Sequence, residues 1–292
     1  MRTDQDKIVA TFSIVACDLE AREWGVAVQS KFMAVGAVVP WARAEVGAVA
    51  TQARTNTTFG PRGLEMMEQG LSAQETLDRL LASDPDLTGR QVAMVDRKGG
   101  AAAYTSPSAT YWAGHVTGNG YSCQGNILTG PEVVEGMAKA FEGTKGDLAE
   151  RLVAALEGGQ GAGGDSRGRQ SAALLVVKDK GGYNGLTDRY IDLRVEDHLY
   201  PINELRRILE LYRFFFLKDK PESLPYSGTI LLDLQGRLRR LGYYGGALDG
   251  QTDVNTALTS FAANEGLAEL LRDDRRISTQ LILKLYERAA KA

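Results

Sequence analysis

The spacing of hydrophobic and polar positions changes several times along the chain, and the changes divide it into blocks. Residues 11–17, Thr-Phe-Ser-Ile-Val-Ala-Cys, alternate weakly and read as a strand. Trp24–Ser30 reads as a second strand, and the turn between them makes a hairpin. Short apolar segments follow at 35–39 and 46–51, separated by Pro40-Trp41-Ala42-Arg43. The period then becomes helical. Pro61 opens one helix that Gly70 ends, and Ser72 with Glu75 three residues on forms a capping box for another, with Leu77, Leu80 and Leu81 at helical spacing. Strands return at 91–96, 101–105, 110–116 and 118–122, with Gly99-Gly100 as a hairpin turn. Helices at 131–142 and 146–157 precede a glycine-rich loop, Gly158–Gly164. Strands at 172–177 and 190–195 and a helix over 201–217 close this part of the chain.

Strand runs separated by helix pairs predict a layered α+β fold rather than alternating βαβ units. Two antiparallel sheets packed together, each with a helix pair on its outer face, would cover every apolar face in a four-layer αββα sandwich. The charged, proline-punctuated stretch from Lys218 to Pro225 reads as a linker. The predicted organisation is an extension over 1–10, a domain over 11–217, a linker over 218–228 and a small three-helix domain over 229–292. In the last, Leu231, Leu234, Leu238 and Leu241 mark the first helix, Leu258 and Phe261 the second, and Leu281, Leu283 and Leu285 the third.

Composition narrows the chemistry. The formal charge of −3 on 292 residues gives no bulk attraction to nucleic acid, and no apolar run approaches the length of a membrane span. No nucleic-acid or membrane partner is expected, and the expected compartment is the cytoplasm. Two cysteines and two histidines exclude a Cys-x-x-Cys zinc site, and no metal or other cofactor is expected. Cys17 and Cys123 read as small buried hydrophobes, and His115 and His198 as a strand and a surface histidine. The loop Gly158–Gly164 lacks the Gly-Lys-Ser/Thr ending of a phosphate loop.

The segments Thr11–Ala16, Gly25–Lys31, Val35–Arg43, Gly47–Gln52, Gly60–Leu64, Gln124–Leu128 and Gly164–Ser171 together resemble a bacterial family, a domain of unknown function within the Ntn-hydrolase (N-terminal nucleophile) superfamily. The resemblance spans residues 11 to about 215 and implies the αββα fold. It also implies a chemistry in which an N-terminal Thr, Ser or Cys attacks an amide carbonyl with its own α-amine as general base. Such an enzyme needs no histidine, because an α-amine titrates near pH 8. Thr11 is the candidate nucleophile and Ser13, on the same strand face, the second candidate or a helper hydroxyl. In many relatives this Thr directly follows the initiator Met. Here ten residues precede it, so cleavage after Ala10 is required to expose an amine. Without cleavage Thr11 is simply the first residue of a strand.

Lys31, at the end of the second strand, and Arg43 are candidate cations beside the nucleophile. A solvated charge or an ion pair is the alternative for each. Gln52, Asn56, Gln124 and Asn126 are amides suited to binding a substrate amide or an oxyanion, or to capping loops. Asp165, Arg167 and Arg169 form a polar run before an apolar strand, suited to a substrate carboxylate or to a salt-bridge network. The segment Leu234–Gly250, with Ala257, Leu258 and Phe261, resembles the three-helix peptidoglycan-binding-like module. That implies peptidoglycan fragments as a partner, against a docking or dimerisation role. The leading expectation is an amidohydrolase acting on a small amide, assembled as a homo-oligomer. The alternatives are a non-catalytic protein of the same fold that binds a small ligand or muropeptide, and an assembly protein using both domains as interfaces.

Overall fold

The structure, a computed structural model, describes residues 11–108, 111–216 and 223–292. The expected extension 1–10 and the linker residues 218–222 lie outside them. Two compact units divide the chain, Met1–Arg206 and Arg207–Ala292.

In the first unit, β1 (Thr11–Asp18), β2 (Glu23–Ser30), β3 (Pro40–Arg43) and β4 (Gly47–Ala53) precede α1 (Phe59–Glu68) and α2 (Ala73–Ala82). Then come β5 (Arg90–Asp96), β6 (Ala101–Thr105), β7 (Trp112–Gly118), β8 (Tyr121–Leu128), α3 (Glu132–Gly143), α4 (Leu148–Gly161), β9 (Ser171–Val177), β10 (Arg189–Val195) and α5 (Pro201–Phe216). One sheet has the order β10-β9-β2-β1-β8-β7 and the other β3-β4-β5-β6. Every pairing in both is antiparallel.

The alternating side chains explain how the sheets stack. Val15, Val26 and Val28 of the larger sheet meet Ala48, Ala50, Ala93 and Val95 of the smaller one. On the far face of the smaller sheet, Val49, Val92 and Met94 pack with Phe59, Leu64, Leu77 and Leu80 of α1 and α2. On the far face of the larger sheet α4 lies against β1 and β2, and α3 against β8. The capping box expected at Ser72 is present, and its side-chain and backbone bonds to Glu75 add about 1 kcal/mol to the start of α2.

Two segments differ from their sequence reading. Pro40–Arg43, expected to separate two apolar segments, is itself the edge strand β3, where the missing proline N–H interrupts no ladder. Gly158–Gly161, expected to be loop, is the last turn of α4. Glycine serves there because α4 crosses α3 closely: a Cβ on Gly158 would lie 2.6 Å from the Gly136 carbonyl oxygen.

The unit boundary falls inside α5, before the expected end of the first domain at 217. Ile202 and Leu205 on its first turns are buried, and Arg206 pairs with Glu150 and Glu157 of α4. Its later residues belong to the second unit, where Phe215 packs its ring 5.5 Å from that of Tyr286.

That second unit contains α6 (Gly228–Arg240), α7 (Asn255–Asn264) and α8 (Thr279–Lys291). It also contains a two-stranded ribbon, β11 (Ser223–Pro225) with β12 (Arg276–Ser278). The last residues of the stretch read as linker therefore belong to this unit, because Leu224 and Tyr226 enter its core. Gln235 of α6 is fully buried. It accepts from the backbone nitrogens of Asp249 and Gly250, 3.0 Å each, and donates to the Thr252 carbonyl at 2.7 Å. One side chain thus fixes the turn that leads to α7.

Candidate functional site

Strand alternation sends Thr11, Ser13, Val15 and Cys17 of β1 to the inner face between the sheets. From Val15 onward this layer is apolar. At the Thr11 end it is polar, because β4 contributes Gln52, β5 Gln91, and β8 Gln124 and Asn126, all at most 2% exposed.

Thr11 is fully buried and faces Ser30 on β2 and Asn126 on β8. Its hydroxyl donates to Ser30 Oγ at 3.1 Å. Its carbonyl accepts from Gln52 Nε2 at 3.4 Å and Asn126 Nδ2 at 3.5 Å.

The directions of the hydrogen bonds among the neighbouring amides follow from two backbone carbonyls. Gln91 Nε2 lies 2.8 Å from the Gly125 oxygen and 3.2 Å from the Gly114 oxygen, which can only accept. Gln91 Oε1 must then accept, taking Gln52 Nε2 at 2.8 Å and Asn126 Nδ2 at 2.9 Å. Gln52 Oε1 accepts from Ser13 Oγ at 2.6 Å, and Ser13 Oγ in turn accepts from Gln124 Nε2 at 2.7 Å. Gln124 Oε1 accepts from Ser122 Oγ at 3.0 Å. The Ser13 hydroxyl is therefore held on both sides, and its proton is directed to an amide oxygen rather than to a base.

The same logic reaches His115. Thr105 Oγ1 accepts from Gln91 Nε2 at 2.9 Å and lies 2.9 Å from His115 Nδ1. Although part of the ring is exposed, burial of its sheet-facing side lowers the His115 pKa. Through Thr105 it stands two hydrogen bonds removed from the amides. His198 Nδ1 accepts from the Tyr200 nitrogen at 3.0 Å in an exposed turn. Burial pushes the Cys17 thiol up to about 11, Asp96 and Asp18 adding to the effect, and burial raises Cys123 further. Neither is a thiolate nucleophile at neutral pH.

The remaining candidates are dispersed. Lys31 follows Ser30 directly, is exposed, and makes no ion pair among the described residues; its backbone nitrogen donates to Asp165 Oδ2 at 3.2 Å. Asp165 is buried and holds Arg167 through Nε at 3.2 Å and NH2 at 3.1 Å. That pair clamps the loop before β9 onto the Thr11 end of the larger sheet, where the Gln170 nitrogen donates to the Ser30 carbonyl at 2.9 Å. Arg169 is exposed and stacks its guanidinium 4.7 Å from the Tyr200 ring centre. Asn56 caps a loop: Oδ1 accepts from the Thr58 nitrogen at 3.1 Å, and Nδ2 donates to Asp84 at 3.2 Å.

Arg43 is not beside Thr11. It pairs with Gly47 at the other end of the smaller sheet, five residues along β4 from Gln52, or about 16 Å at strand rise. Its guanidinium meets Glu68 at 2.5 Å with both side chains about half exposed. Read from the sequence as the separator of two apolar segments, Pro40–Arg43 gave no indication of which end of the sheet Arg43 would occupy. Arg43→Ala is expected to lower stability by no more than about 1 kcal/mol in urea unfolding, as for other exposed pairs. A loss several times larger would assign it a different role.

Gln91, Ser30 and Thr105 join the site without having been singled out in the sequence. The signals were there: Gln91 occupies the same strand face as the apolar Ala93 and Val95, and the hairpin register sets Ser30 opposite Thr11. Among the described residues, no cluster of three or more His, Cys, Asp or Glu could hold a metal ion, and no helix is long and apolar enough to cross a membrane.

Comparison with known proteins finds one family. The family of unknown function DUF1028 matches residues 11–205. The chain is similar to the crystal structure of protein SPO2555 from Silicibacter pomeroyi, of the same family, with 28% identity and a TM-score of 0.65 over 74% of this chain and 95% of that one. No curated protein matches.

Proposed function

The chain belongs to the DUF1028 family, and from that starting point we propose that residues 11 to about 215 form an Ntn-type amidohydrolase with Thr11 as nucleophile, active once Thr11 is the first residue. The observation that carries this reading is Thr11 at the head of an inner strand, its hydroxyl 3.1 Å from Ser30 and its carbonyl held by two buried amides. The sheet-on-sheet layering with outer helix pairs supports it.

In the proposed reaction Thr11 Oγ1 bonds to the substrate carbonyl carbon, and its proton passes to the Thr11 α-amine. The tetrahedral intermediate collapses as the ammonium returns that proton to the leaving nitrogen. Water then cleaves the ester so formed, with the same amine as base. The substrate is a small amide, peptide-like or cell-wall-derived. Lys31, next to Ser30, is the remaining cation candidate at the site. Asp165 and Arg167 shape its rim, and Arg169 is the more available of the two arginines for a substrate carboxylate. The second unit keeps its resemblance to peptidoglycan-binding-like modules, and a cytoplasmic homo-oligomer remains the proposed state.

A specific observation favours a second reading, a non-catalytic binder of small ligands or muropeptides. Ten residues precede Thr11, so in the unprocessed chain its nitrogen is a peptide nitrogen and not the amine the mechanism uses as base. The test pairs intact mass of the natively produced protein with a variant encoding Met directly before Thr11, whose Met is trimmed. Amide hydrolysis is expected only when Thr11 is the N-terminus. Activity of the unprocessed chain, or none from the trimmed one across a broad amide screen, overturns the proposal.

A further inference from the structure

One atom of the inter-sheet network has no partner. Asn126 is 2% exposed, and its Nδ2 donates to Gln91 Oε1 at 2.9 Å and weakly to the Thr11 carbonyl at 3.5 Å. Its Oδ1 is buried and accepts nothing. Rotating the amide does not relieve this. Gln91 Oε1 is fixed as an acceptor by the two backbone carbonyls on its other end, so Asn126 must turn nitrogen toward it. A buried acceptor left open is costly, and it sits directly across the strand pair from Thr11.

We propose that Asn126 Oδ1 is the acceptor for an N–H donor brought to the head of β1. The inference rests on the amidohydrolase reading only for the identity of that donor. Two sources share the chemistry: the α-ammonium of Thr11 once it is the N-terminus, and the amide N–H of a bound ligand. Either gives Asn126 a role opposite to that of an oxyanion donor. It also selects amides that carry an N–H over esters of the same shape. No charged side chain is among the hydrogen-bond partners described for this network. The charged groups at the strand end are Lys31 and the Asp165–Arg167 pair.

The experiment uses the full chain with Thr11 as its first residue, compared with its Asn126→Leu variant and with Gln124→Leu as a control in the same network. In the first arm the α-amine is titrated by ¹⁵N NMR. If Oδ1 holds the ammonium, Asn126→Leu lowers the amine pKa by about 1, and Gln124→Leu leaves it in place. In the second arm N-methylacetamide and methyl acetate are titrated against the protein, with the side-chain amide resonances as readout. If Oδ1 takes a ligand N–H, the amide shifts these resonances, the ester does not, and Asn126→Leu removes the response. An unchanged amine pKa together with equal responses to amide and ester overturns the proposal. Both readouts are independent of turnover, so failure here is separable from failure of the hydrolase reading.

Discussion

In protein whose first residue is Thr11, Thr11→Ala is expected to abolish amide hydrolysis, a loss of at least about 10³-fold in kcat/KM, as for removal of other covalent nucleophiles. Ser13→Ala is expected to cost far less in rate. The two hydroxyls share a strand face but not an environment. Ser13 Oγ donates to Gln52 at 2.6 Å and accepts from Gln124 at 2.7 Å, with no base in reach. Thr11 alone acquires an α-amine on its own backbone. Ser13→Ala does leave Gln52 Oε1 and Gln124 Nε2 without that partner, so its effect belongs in stability. Kinetics on a panel of acyl anilides, with the N-terminus confirmed by mass, separates them. A folded Ser13→Ala protein that has lost all activity, or a Thr11→Ala protein that keeps it, reverses the assignment.

Gln91→Leu is expected to destabilise the first unit by about 4 kcal/mol or more, counting roughly 1 to 3 kcal/mol for each buried group left without a partner. Five groups are affected: the Gly114 and Gly125 carbonyls and the Thr105 hydroxyl lose a donor, and Gln52 and Asn126 lose the nearer acceptor of their amide nitrogens, keeping only the longer contact to the Thr11 carbonyl. A loss of that size is a large part of the stability of an ordinary domain. Gln91→Glu is expected to do no better. It keeps an acceptor but turns a second oxygen toward two carbonyls, which have no proton to offer. Urea unfolding with an unchanged m-value is the measurement. A loss below about 1 kcal/mol would show that water satisfies these groups as well as Gln91 does.

The sequence by itself determined the elements and the faces they present. Alternation in Thr11–Cys17 and Trp24–Ser30 specifies a hairpin with one polar-headed inner face, and the Ser72–Glu75 box sets the start of α2. Leucine spacing specifies α6, and the order of strand runs and helix pairs specifies a layered α+β domain. These features are local: each depends on residues within a few positions of one another, so periodicity and capping chemistry suffice to read them.

What only the tertiary structure decided is who meets whom across the sheets. Gln52 and Asn126, 39 and 35 residues from Gln91 on two other strands, both donate to its side-chain oxygen. Gln124 and Asn126, read as amides for substrate binding or loop capping, stand on an inner strand, while Asn56, grouped with them by residue type, caps a loop. Lys31 and Arg43, alike as cations in sequence, fall at opposite ends of the sandwich. Arg167 is taken up by buried Asp165, whereas Arg169 two residues on stays at the surface. Alternation tells a side chain which face of its own strand it occupies. The register of each strand pair and the stacking of one sheet on the other are set by burial summed over the whole core, and no local window of sequence contains that sum.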